Sequence, residues 1–75
     1  MVIRLAQDHQ GQLWVGTLGG GLRQVGARGD HLEETRHLTQ ADGLASNIIL
    51  ALVVGADGAV WAVTDEGVSR IEVPD

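Results

Sequence analysis

Apolar residues fall along this 75-residue chain in short bursts divided by turn-forming clusters, with no stretch that keeps a helical period over a useful window. The bursts predict seven β-strands, at Val2–Gln7, Gln12–Thr17, Gly21–Val25, Leu32–Leu38, Ile48–Val54, Ala59–Thr64 and Val68–Val73. Between the first two, Asp8-His9-Gln10-Gly11 has Asp at the first turn position and Gly at the fourth, the pattern of a type I turn closed by a left-handed glycine. Leu18-Gly19-Gly20 predicts the next turn, Ala27-Arg28-Gly29-Asp30 a loop, and Ala41–Asn47 a connector.

The pattern occurs twice. VIRLAQDHQGQLWVGTLGGGLRQV from Val2 aligns with IILALVVGADGAVWAVTDEGVSRI from Ile49, so that Gly11, Trp14 and Thr17 meet Gly58, Trp61 and Thr64 at one offset of 47 (61 − 14). Beyond the tryptophan one residue is deleted, and Gly21-Leu22 aligns with Gly67-Val68 at 46 (67 − 21). A repeat of this length, built from short strands and turns, marks stacked β units. The first strand of each unit is apolar at nearly every position, as for a strand covered on both faces. The fourth carries Glu33, Glu34, Arg36 and His37, charges that discourage edge-to-edge pairing at a rim. An apolar inner strand and a polar outer one predict an all-β, antiparallel β-propeller fragment of about two blades. The first blade takes residues 1–40 with four strands, and the connector and incomplete second blade take 41–75 with three.

Composition fits a small, turn-rich β protein: eleven glycines, one proline, 44% hydrophobic residues and neither Phe nor Tyr. With no cysteine, disulfides and thiolate metal sites are excluded. The net charge of −5, with five scattered arginines and no lysine, argues against nucleic acid and against an anionic membrane surface as partners. The longest apolar run, Ile48–Val54, is seven residues, far below the roughly 20 needed to span a bilayer, and no targeting signal is visible.

The stretch DGLASNIILALVVGADGAVWAVTDEGVSRI resembles the two-component regulator propeller repeat. Asp42-Gly43-Leu44 and Ser46-Asn47 match the start of that repeat, and Asp8, Gly11, Leu13-Trp14, Gly16-Thr17 and Gly20-Gly21-Leu22 match its middle. Ala45 stands where the family usually has proline, and Ala62-Val63 replaces Val15-Gly16. Gly55 replaces the aspartate equivalent to Asp8, leaving a two-residue turn at Asp57-Gly58 as an alternative second hairpin. The resemblance implies a periplasmic, ligand-sensing propeller of bacterial signalling proteins, mostly hybrid two-component histidine kinases and also diguanylate cyclases. A carbohydrate breakdown product is the ligand it suggests.

No catalytic constellation stands out, and no metal or cofactor is expected. Asp8 has the place of a turn residue, and Asp65-Glu66 that of a hairpin tip. Gly16–Gly21 leads into a strand, whereas phosphate loops open a helix. His9, His31 and His37 lack metal-site spacing, and Ser46 lies outside a nucleophile motif. Trp14 and Trp61, demanded in both copies, predict packing between neighbouring sheets rather than sugar platforms. Alternate turns of an up-and-down blade share one end. Asp42, Ser46 and Asn47 of the connector, Leu18 and Gly19, and Asp65 and Glu66 are therefore the candidate ligand-binding residues. Two blades cannot close a ring, so the implied partners are further propeller blades or other copies of the chain. A fragment of a carbohydrate-active enzyme and a stand-alone protein that oligomerises into a ring are the alternatives.

Overall fold

A computed structural model describes residues 3–73. Seven strands form two antiparallel sheets: β1 (Ile3–Gln7), β2 (Leu13–Thr17), β3 (Leu22–Arg28) and β4 (His31–Leu38) in that order, then β5 (Ile49–Val54), β6 (Val60–Thr64) and β7 (Gly67–Ile71). The expected division into four strands and three is the one observed. Val2, the expected start of the first strand, lies outside the described residues.

Both hairpins that carry the tryptophans have the same turn. In the first, Asp8 N–H donates to Gln12 O at 2.9 Å and Gly11 N–H to Asp8 O at 3.0 Å. In the second, Gly55 N–H donates to Ala59 O at 2.8 Å and Gly58 N–H to Gly55 O at 3.0 Å. Gly11 and Gly58 close these turns at φ 83° and 88°, the left-handed conformation that only glycine adopts without strain. The two-residue alternative at Asp57-Gly58 is therefore not adopted. Asp57 instead braces the longer turn, its Oδ1 accepting the Ala59 N–H at 3.0 Å.

Three further expectations change. β3 runs through Ala27 and Arg28, so the predicted four-residue loop shrinks to Gly29-Asp30, with Gly29 at φ 61°. The paired registry of β3 and β4, shifted between Gln24 and Val25, extends over those residues. The connector contains a 3-10 turn at Gln40–Asp42. β1 and β5 are not covered on both faces: Leu5 is 64% exposed and Val53 54%. One face of each sheet lies against the other sheet, and nothing within the described residues covers the opposite faces.

Burial alternates along β2, where Trp14 and Gly16 face inward between half-buried neighbours, as a strand with one packed face requires. Trp14 and Leu22 from the first sheet meet Ile49, Val60, Ala62 and Ile71 from the second, and Leu44 of the connector joins this core. The sheets approach closely because Gly16 has no side chain. A Cβ there would lie 2.4 Å from Ile49 Cγ2, inside van der Waals contact. Among the inner strands, Arg4 Nε donates to Leu50 O at 2.8 Å, adding a polar tie beside the apolar core.

Candidate ligand-binding end

The connector is stitched to both sheets at one end of the molecule. Asn47 O accepts hydrogen bonds from Gly19 N–H and Gly21 N–H, each at 3.0 Å, and Leu18 bridges to Ile48. On its other side, Asn47 Oδ1 accepts the Gln40 N–H at 2.6 Å, while Gln40 Nε2 reaches Glu66 Oε2 at 3.4 Å. The three predicted turns thus meet through Asn47 and Gln40, the latter absent from the sequence-based set. Its part depends on Asn47 and Glu66 arriving from elsewhere in the chain, which local sequence does not show.

The seven candidate residues divide by environment. Ser46 is buried, and its Oγ accepts the Ile48 N–H at 3.1 Å, a local turn bond. Asp42 is exposed, but its Oδ2 accepts from the Thr39 N–H at 3.0 Å and the Thr39 hydroxyl at 3.2 Å. Together with Asn47, these two hold the connector. Leu18, Gly19, Asp65 and Glu66 are exposed at its flanks. The equivalent threonines Thr17 and Thr64 set the flanking turns: Thr17 Oγ1 donates to Gly21 O at 3.2 Å, and Thr64 Oγ1 to Gly67 O at 2.7 Å. Their equivalence was the sequence signal for this shared role.

Beside the connector, between β4 and β7, lies an open cleft of about 280 Å³ lined by residues that include Arg36, Leu38, Asp42, Leu44, Ser69 and Arg70. Sequence reasoning missed it, because strands remote along the chain form its walls. Arg70 bonds Asp57 at 2.8 Å and Glu72 at 2.9 Å, and these partners, Asp57 foremost, raise its pKa. The same Arg70 contact holds the Asp57 carboxyl below its ordinary value. Arg36 lies over the Trp14 ring, 5.7 Å from its centroid. The cleft therefore brings guanidinium groups, carboxylates and apolar side chains together on one surface. Ser69 Oγ accepts the Ala45 N–H at 2.9 Å, leaving it a role in tethering the connector.

The first hairpin is organised around Asp8, which is only 5% exposed. Its carboxylate accepts from the Trp14 indole Nε1–H at 2.9 Å and from the backbone N–H groups of Gln10 and Gln12 at 2.9 and 3.0 Å. Burial by itself would raise the Asp8 pKa, but these donors together outweigh it and hold the group below its ordinary value. The turn aspartate and the tryptophan are thus one device.

Residues 1–19 match the two component regulator propeller family. The match covers the first hairpin and the start of the turn after it, in the copy where the aspartate–tryptophan device is intact. It is the family whose repeat the sequence resembles. No curated protein and no solved structure matches the chain. The propeller match and the two antiparallel sheets agree on a propeller fragment. Among the described residues, no helix is long and apolar enough to cross a membrane.

Proposed function

We propose that the chain is a non-catalytic segment of a ligand-sensing β-propeller, working in the periplasm as part of a bacterial two-component or cyclic-di-GMP signalling protein. The observation that carries this reading is the match of residues 1–19 to the two component regulator propeller family, on a hairpin folded as half of an antiparallel sheet. Its partners are other propeller blades, and its output passes to a kinase or cyclase elsewhere. Leu18, Gly19, Asp65 and Glu66 form the contact surface at the connector end, with Asp42, Ser46 and Asn47 holding its shape. The ligand class is a small carbohydrate, held by acidic side chains and exposed turn backbone.

The site's chemistry supports binding over catalysis. Ser46 and Ser69 accept backbone N–H groups, and neither has a base within its described hydrogen-bond partners. Asp65 and Glu66 are exposed hairpin residues, open to a ligand from solvent.

Titration of the 15N-labelled chain with a panel of neutral and acidic oligosaccharides tests this reading. Amide shifts confined to residues 18–20, 42–47 and 65–66, with the sugar recovered intact, are the expected result. Cleavage of the sugar overturns it in favour of an enzyme. Absence of any shift at that end across the panel removes the carbohydrate site.

A further inference from the structure

The interface inside this chain shows what its two uncovered faces fit. Trp14 and Leu22, on one face of the first sheet, pack on Ile49, Val60, Ala62 and Ile71 of the second. Strand pairing assigns each of these a counterpart in the other unit. Trp61 and Val68 stand where Trp14 and Leu22 stand, and both point away from the first sheet. Trp61 is 38% exposed and Val68 57%, against none for Trp14 and Leu22. On the far side of the first sheet, Ile3, Leu13, Val15 and Val25 occupy the places of Ile49, Val60, Ala62 and Ile71. All four are apolar. One chain therefore carries an uncovered donor face and an uncovered acceptor face of the interface that it already contains.

We infer that a second copy of this chain docks head to tail, with the Trp61 face of one copy on the Leu5–Val15 face of the next. Such a contact is heterologous: it uses two different patches, so each copy still has one face free, and repetition closes a ring or extends a stack. The association buries what is now exposed, Leu5, Val53, Trp61 and Val68 among them, and apolar burial drives it. Continuity with the internal interface selects the occupant, because the required counter-face is the one on this chain's own first sheet. Arg70, paired opposite Trp61 on β7, lies over its ring at 5.9 Å from the centroid, so the docking face carries a guanidinium beside the indole. Val63 occupies the place of Gly16, which keeps the copies farther apart at that point than the two sheets are within one chain. This inference goes beyond the sensing role and depends only on the fold.

Sedimentation and light scattering of the purified chain test it. The expected mass rises with concentration above the 7.9 kDa of one chain. Trp61→Glu blocks one face and Leu5→Glu the other, so each variant alone stays monomeric, while an equimolar mixture forms a 1:1 dimer through the two faces left intact. Both positions are solvent-exposed in the single chain, and far-UV circular dichroism checks that each variant retains its strands. Val53→Glu, at a 54% exposed position beside Trp61, replaces Trp61→Glu if the latter does not fold. A wild-type chain that is monomeric throughout the concentration range overturns the inference. So do single-face variants that dimerise on their own, which would show like faces meeting like.

Discussion

The Trp14 indole donates its N–H to Asp8 Oδ2 at 2.9 Å, within a hairpin whose tip the same carboxylate organises through two backbone N–H groups. One side chain thus sets the turn geometry and the position of the largest residue in the core. The two functions are coupled, because a carboxylate has lone pairs for several donors at once.

Asp8→Ala is expected to destabilise the chain by about 2–3 kcal/mol, since it leaves the buried indole N–H and two turn amides without their charged acceptor. Urea unfolding followed by Trp14 fluorescence in a Trp61→Phe background measures the loss.

Stability is expected to fall in acid through Asp8. Its pKa is depressed in the folded state, so its contribution is fully present above the unfolded-state value and is lost as pH drops through the lower folded value. Asp57 has the same sign through its Arg70 contact. In Asp8→Asn, the melting temperature between neutral and acid pH changes less steeply than in the wild type.

Gly16→Val is expected to separate the sheets. The new Cβ would lie 2.4 Å from Ile49 Cγ2 and 2.8 Å from Ile49 Cβ, and branched core atoms cannot retreat from it cheaply. Overpacking of this kind costs about 1–3 kcal/mol. Thermal melting reads the loss, and Ile49→Ala in the same chain recovers part of it by making room.

Gly55→Asp is expected to rebuild the first hairpin's device in the second. A Cβ at position 55 stands 3.3 Å from Trp61 Nε1, and the atom it crowds most, Asp57 Oδ1 at 2.9 Å, belongs to a side chain that can turn away. The Trp61 indole proton is expected to move downfield and to exchange more slowly by NMR.

The strand count and both tryptophan hairpins were legible in the sequence because their causes are local. Alternating burial follows from the two-residue strand period, and Gly11 and Gly58 mark positions where the chain must turn left-handed. The repeat offset placed equivalent residues correctly from β1 onward except at Ile49, which a register shift before Ala51 moves into the place of Ile3, and the one-residue deletion falls in the turn between Thr64 and Gly67. The candidate end was legible in part: Leu18, Gly19, Asn47, Asp65 and Glu66 gather there, but Gln40 and the arginine-lined cleft did not show.

By itself, then, the sequence determined a turn-punctuated, twice-repeated antiparallel β chain and the residues that close its hairpins. Only the tertiary structure decided that Trp14 is buried while its counterpart Trp61 is partly exposed, since the side of each sheet that has a neighbour is not encoded in either strand alone. It also turned Asp8 from a turn former into the buried acceptor of an indole, and it showed Gly16 as the point where the sheets meet. Those outcomes depend on packing between segments distant in sequence, where one sheet's side chains fill or leave the space that another's require.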